Sequence, residues 1–227
     1  MKSAETLFSE TGGRFLTSFA DLQKKVAAVK ALVFDWDGVF NNGFKSDSGG
    51  SPFSEPDSMG INLFKLDFWL RFHRVPPVFI ITGAQNESAL QLARREHMHG
   101  VFMKFIHKAQ ALEIIQHNYG LQKEEIAFVF DDILDIEVAR LSGVSILVRR
   151  GGSPLTTNYL VTNKTCDYVT GNPGGNFAVR EACELLIALG GNMSRTIETR
   201  VRFKGEYEQY LAERDRIKTR LFRFDAL

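Results

Sequence analysis

The segment Leu32-Val33-Phe34-Asp35-Trp36-Asp37-Gly38-Val39 closes an apolar run with two aspartates one residue apart. Carboxylates crowded at the end of a buried strand repel one another unless a cation or a proton relieves them. In that setting Asp35 has the chemistry of a nucleophile, because a carboxylate can attack phosphorus and form an acyl phosphate. Asp37 has the chemistry of a general acid and base that serves the leaving alcohol. A strand followed by an Asp-Gly turn accounts for Asp37-Gly38 and leaves Asp35 unexplained.

Three further segments supply what such a site needs. Thr82-Gly83 follows Phe79-Ile80-Ile81, placing a hydroxyl and an unobstructed backbone N–H where they can hold a phosphate oxygen. Lys108 opens a helical pattern, and a fixed ammonium there offsets the charge of both a phosphate and its nucleophile. Lys104 competes for that role; Lys108 is preferred because Leu112 follows at one helical turn and fixes the helix start. Asp131, Asp132 and Asp135 crowd the end of another apolar run, Ile126 to Phe130. One aspartate there is an ordinary helix cap, but three in five positions are not. An oxygen-only donor set without Cys or His partners points to Mg²⁺. Taken singly, Thr82-Gly83 reads as a turn and Lys108 as a surface lysine. Their order along the chain, each at the end of its own strand, carries the signal.

The elements that must position these groups alternate. Strands are expected at Ala31–Phe34, Val78–Ile81, Val101–Met103, Ile126–Phe130, Val144–Val148 and Tyr168–Val169. Helices are expected over about 14–29, from Asp57 or Ser58 to Phe72, and over Glu87–Glu96, Lys108–Tyr119 and Asp135–Leu141. Strict alternation implies an α/β, doubly wound parallel sheet, and such sheets bind ligands beyond the carboxyl ends of their strands. Residues 1 to about 13 read as polar and frayed. Residues of about 40–56, rich in Gly, Ser, Asn and Asp, read as a small β-hairpin flap. The domain reading is an N-terminal extension and leading helix over 1–29, a core over 30–191, and a helical tail over 192–227 that the core does not require.

Bulk composition narrows the function classes. The chain has 227 residues, 44% of them hydrophobic and 24% charged, which suits one globular domain with additions. A formal charge of +1 lacks the basic excess of a nucleic-acid footprint. Cys166 and Cys183 form neither a metal-ligand spacing nor a disulfide framework, and fit a reducing compartment. With no signal peptide and no segment of membrane-spanning length, the expected location is cytoplasmic, without membrane partners.

In order, D-W-D-G-V, I-I-T-G, a helix-opening lysine and F-D-D-I-L-D resemble the four motifs of the haloacid dehalogenase superfamily, over roughly residues 30 to 190. The resemblance implies a Rossmann-like core and phosphoryl transfer through an aspartyl-phosphate with Mg²⁺. By match of motif, Asp35 would be nucleophile and metal ligand. Asp37 would be acid/base and bind metal through its carbonyl. Thr82, Gly83 and Lys108 would hold the phosphate, and Asp131 would complete the metal shell with Asp132 and Asp135 in support. The flap, the segment Phe53 to Ile61 and the late Gly174 to Glu181 are similar to the capless phosphatases of sugar-acid metabolism, the group of the 3-deoxy-D-manno-octulosonate 8-phosphate and nonulosonate 9-phosphate phosphatases. That resemblance implies a homotetramer whose neighbours help close the site. The chain departs from the group's pattern at Asn41-Asn42, at Pro56-Asp57-Ser58, at Asn176-Phe177, at Phe130 and at His107. These positions bear on substrate choice rather than on the reaction.

The expected activity is therefore hydrolysis of a small phosphorylated sugar or sugar acid. A non-catalytic assembly or regulatory protein on the same fold is the alternative, and the retained acidic set argues against it.

Overall fold

Every residue of Ala31–Asp35 is buried, as is every residue of Val78–Thr82 and Ile126–Phe130. Such near-continuous apolar strands belong in the middle of a parallel sheet covered on both faces. The computed structural model describes residues 2–45 and 51–224. Among them the sheet has eight strands: β1 (Arg14–Phe15), β2 (Ala31–Asp35), β3 (Val78–Thr82), β4 (Gly100–Met103), β5 (Ile126–Phe130), β6 (Val144–Arg149), β7 (Tyr168–Pro173) and β8 (Arg220–Arg223). Their order is β1-β7-β6-β5-β2-β3-β4-β8, with only β1 antiparallel. The register pairs Asp35 with Ile81 and Phe34 with Val129, so the carboxyl ends of β2, β3 and β5 lie side by side.

Alternate side chains of β2 feed two cores. Leu32 and Phe34 face one with Phe64, Phe68, Val179 and Leu186; Val33 faces the other with Phe79, Leu112 and Phe128. The first core is built largely by α2 (Phe19–Ala28), α3 (Glu55–Phe72), α4 (Glu87–Arg95) and α8 (Ala178–Gly190), and the second by α5 (Lys108–Tyr119), α6 (Ile136–Arg140) and α7 (Pro154–Thr162). Helices α3 and α8 approach closely: a Cβ on Gly60 would lie 2.9 Å from the Arg180 Cα. Asp57 in the first turn of α3 also accepts from the Arg180 N–H at 2.8 Å.

The ends of the chain depart from expectation. Residues 4–10 form a helix, α1 (Ala4–Glu10), capped by Ser3. The leading helix is shorter than 14–29, because Ser18 accepts from the Asp21 N–H and starts α2 there, while Arg14 and Phe15 pair with Val169 and Tyr168. The tail is not purely helical: α9 (Met193–Arg202) and α10 (Glu206–Arg214) lead to β8, which pairs along β4. Tyr207 and Tyr210 cover Leu66, Trp69 and Leu70 of α3, and Phe222 stacks on Phe102 with ring centroids 4.3 Å apart. Glu213 accepts from both the Trp69 Nε1–H and the Val75 N–H at 2.8 Å.

The expected hairpin flap includes 46–50, which lie outside the described residues, and no residue of 40–45 or 51–54 is in a strand. Helix α3 starts at Glu55, earlier than expected, with Ser54 accepting from the Asp57 N–H. No large insertion separates β2 from β3 beyond that segment and α3.

Candidate active site

The first aspartate of the pair is the last residue of β2. The Asp35 carboxylate is buried and accepts from the Lys108 ammonium, Oδ1 to Nζ, at 2.6 Å. Lys108 is the first residue of α5, and the same Nζ donates to Asp135 Oδ1 at 2.6 Å. Two residues on, Asp37 faces a different set of partners. Its Oδ2 accepts from Asn86 Nδ2 at 3.0 Å and pairs with Lys45 Nζ at 3.1 Å, and its Oδ1 accepts from the Ser51 hydroxyl at 3.3 Å.

The turn between these groups is braced from within. Trp36 is fully buried and stacks on Phe40 at 4.8 Å, pulling the intervening residue away from the cleft. Asn41 Oδ1 accepts from the N–H groups of Gly38 and Gly43, and its Nδ2 donates to the Trp36 carbonyl. Gly38 has φ +83° and lies against Asp131: a Cβ there would fall 1.9 Å from Asp131 Oδ2. Only glycine lets the β2 loop and the end of β5 meet this closely.

Thr82 ends β3. Its Oγ1 accepts from Asn86 Nδ2 at 2.7 Å and from the Ala84 N–H at 3.3 Å, which leaves the hydroxyl proton free to donate to a ligand. Gly83 lines the same cleft. Asp131 follows β5 and is buried; Asp132 caps the 3-10 turn Ile133–Asp135 by accepting from the Ile133 N–H. Arg150, just past β6, bridges these two, with Nη1 2.7 Å from Asp131 Oδ2 and 2.7 Å from Asp132 Oδ2. All of the expected site residues, Asp35, Asp37, Thr82, Gly83, Lys108, Asp131, Asp132 and Asp135, therefore line one cleft of about 510 Å³ at the carboxyl ends of the strands. Lys104 is not among its lining residues, while Lys108 is.

Asp135, expected only in support, is more central than that. Asp35, Asp131 and Asp135 each offer a carboxylate oxygen within 4.8 Å of the others. Burial pushes Asp35 up to about 6, against the pull of Lys108. Burial and then the neighbouring Asp135 push Asp131 up to about 7, and burial and then Asp35 do the same to Asp135. Burial works against the Lys108 ammonium, but Asp35 and Asp135 together hold it above its ordinary value. Among the described residues, these three buried carboxylates face the cations of Lys108 and Arg150, which leaves the cluster short of positive charge. An all-oxygen donor set of this kind fits a hard divalent cation, which would favour the ionised carboxylates.

Asn86, Lys45, Ser51 and Arg150 were not foreseen from sequence. Asn86 carries a weak signal, since an Asn four residues after a strand-ending Thr is an ordinary helix start. Lys45, Ser51 and Arg150 reach the cleft through loop geometry that no local pattern encodes.

No protein-family model matches the chain. Curated relatives do. The 3-deoxy-D-manno-octulosonate 8-phosphate phosphatase KdsC of Escherichia coli (strain K12) is 26% identical over 194 residues, spanning 82% of this chain and 95% of the relative. The Yersinia pestis KdsC is 27% identical over 172 residues, spanning 74% and 84%. The chain is thus similar over most of its length to 3-deoxy-D-manno-octulosonate 8-phosphate phosphatases. Solved structures agree on the fold. The Moraxella catarrhalis 3-deoxy-D-manno-octulosonate 8-phosphate phosphatase, in complex with magnesium, phosphate and KDO, superposes with a TM-score of 0.68 at 24% identity, covering 81% of this chain and 99% of that one. The cobalt-bound Haemophilus influenzae deoxy-D-mannose-octulosonate 8-phosphate phosphatase gives 0.64 at 20% identity, covering 79% and 99%. Helices α9 and α10 follow α8, and strand β8 closes the sheet's edge beside β4.

Proposed function

We propose that this chain is a Mg²⁺-dependent phosphomonoesterase acting on a small phosphorylated sugar or sugar acid. The observation that carries the reading is the pairing of buried Asp35 with Lys108 beside Thr82 and the Asp131–Asp135 cluster, in one open cleft. The curated relatives support the reaction class.

Asp35, Asp131 and Asp135, with the Asp37 backbone carbonyl, would hold the ion. When bound it supplies charge neutralisation for the phosphoryl oxygens. Lys108 keeps Asp35 ionised and oriented, and presents its ammonium to the incoming phosphate. The Thr82 hydroxyl and the Gly83 N–H take further phosphate oxygens. An Asp35 oxygen attacks phosphorus as the P–O bond to the alcohol breaks, and Asp37 donates its proton to the leaving oxygen. Asp37 then takes a proton from water, which attacks phosphorus and returns Asp35 as carboxylate with release of inorganic phosphate. Asn86 holds Asp37 and Thr82 in one frame, which sets the acid against the phosphate.

Ile106, Ile133 and Leu134 line the cleft and are well exposed. An apolar rim of this kind suits cover by a neighbouring subunit, in keeping with a homotetramer. Among the described residues no helix is long and apolar enough to cross a membrane.

The test is hydrolysis of a panel of phosphorylated sugars and sugar acids with Mg²⁺ and with EDTA. Metal-dependent turnover of at least one is expected, and none by Asp35→Asn. Turnover by Asp35→Asn near that of the unmodified chain would refute the assignment.

A further inference from the structure

Arg150 touches the acidic cluster and also faces the substrate side of the same cleft. It follows β6, and its Nη1 lies 2.7 Å from Asp131 Oδ2 and 2.7 Å from Asp132 Oδ2. The Asp131 carboxylate is buried, whereas the Arg150 side chain is 38% exposed and lines the cleft with Asp35, Thr82 and Lys108. On its other side a Cβ on Gly43 would lie 3.4 Å from Arg150 Nη2, so the loop after β2 passes close to the guanidinium.

Charge singles this residue out. Among the described residues, the ion pairs of Asp35, Asp131, Asp132 and Asp135 go to two side-chain cations, Lys108 and Arg150. Asp37 is matched separately by Lys45. Four ionised carboxylates facing two cations are brought close to neutrality by one divalent ion. Without Arg150 the ion-loaded site keeps a net negative charge. A phosphate dianion would then be repelled at the point where Asp35 must reach it. Lys108 cannot supply both needs, because its ammonium is already shared between Asp35 and Asp135.

We propose that Arg150 sets the charge of this site: it holds the divalent ion less tightly than the carboxylates alone would, and it lets the ion-loaded cleft accept a phosphate dianion. This rests on the metal-dependent phosphatase reading and adds to it a positioning residue, one that touches the ligands of the ion and not the reacting atoms. The effect has opposite signs at the two binding steps. A guanidinium that only braced Asp131 would strengthen metal binding, and a bystander on the cleft wall would alter neither step.

Calorimetry of the full chain at low ionic strength, where a partly exposed charge is least screened, tests this. Mg²⁺ is titrated into the unmodified chain, Arg150→Gln and Arg150→Lys, each confirmed as folded by its melting curve. Inorganic phosphate is then titrated into each at saturating Mg²⁺. Arg150→Gln is expected to bind Mg²⁺ about tenfold more tightly and phosphate about tenfold more weakly. Arg150→Lys, which keeps the charge and loses the fork, should stay within a few-fold of the unmodified chain on both counts. Mg²⁺ binding that is unchanged or weaker in Arg150→Gln would overturn the proposal. So would phosphate binding that does not weaken there, or an Arg150→Lys chain that behaves as Arg150→Gln does. Failure of all three chains to bind Mg²⁺ would instead sink the metal-dependent reading itself, and the role of Arg150 with it.

Discussion

Lys108 Nζ donates to Asp35 Oδ1 at 2.6 Å, joining residues that lie 73 positions apart. Both groups are buried, and the same ammonium holds Asp135. A lysine held above its ordinary value by two carboxylates stays charged across the working pH range, so it acts as a fixed cation and not as a proton donor. Lys108→Met should therefore lower kcat by about 10²-fold or more. Steady-state kinetics across pH 5 to 9 checks this; a variant within a few-fold of the unmodified chain would exclude Lys108 from the reaction.

Gly38 meets Asp131 with no space for a side chain. Gly38→Ala has to move either the loop that carries Asp37 or the carboxylate itself, and it also strains a positive φ. The expected outcome is about tenfold or greater loss of Mg²⁺ affinity, read by calorimetry, with a smaller change in melting temperature. Unchanged metal affinity would show that Asp131 is not held in place by this contact.

His99 supplies a pH test of stability remote from the cleft. Its Nδ1 accepts from the Val78 N–H at 3.3 Å, which requires a neutral ring. Burial, and then the nearby Lys65, depress it from 6.5 to about 4. The unfolded chain binds that proton more readily, so the stabilisation is whole above about pH 6.5 and is lost as pH falls through 4. The loss amounts to about 3 kcal/mol at most. Urea unfolding of the unmodified chain and of His99→Asn should show their stability difference shrinking by this order between pH 7 and pH 4. A pH-independent difference would contradict the assignment.

The tail carries a strand-level prediction. Phe222 stacks on Phe102 and lies partly buried beside β4, whose edge β8 covers. Phe222→Ala should cost about 1–3 kcal/mol, below the value for a fully buried phenylalanine. Removing 218–227 should further expose the β4 edge and promote association. Chemical denaturation and light scattering read the two effects.

The acidic groups and their strands were legible because buried parallel strands are short apolar runs that end where the chemistry begins, as at Phe34-Asp35 and Phe130-Asp131. The loop glycine against Asp131 was visible as an Asp-Gly turn, but its contact was not. Helix α8 went unassigned because Ala178, Val179, Ala182, Cys183, Leu185, Leu186, Ile187 and Leu189 make a nearly continuous apolar run that hides helical spacing. Helix α7 holds Thr156, Thr157, Val161 and Thr162, which weaken any helical signal. Strand β8 reads Arg-Leu-Phe-Arg with charged ends, and only its pairing partner makes it a strand. Arg150 and Lys45 reach the carboxylates across loops, a proximity that no spacing rule reports.

The central claim is that Asp35 itself accepts the phosphoryl group. Rapid acid quench during turnover of a substrate selected from the panel, followed by peptide mass spectrometry, reads this directly. A phosphoryl adduct is expected on the peptide carrying Asp35, formed with Mg²⁺, absent with EDTA and absent from Asp35→Asn. Turnover that proceeds with the adduct on another residue, or with Asp35→Asn still active, would contradict it.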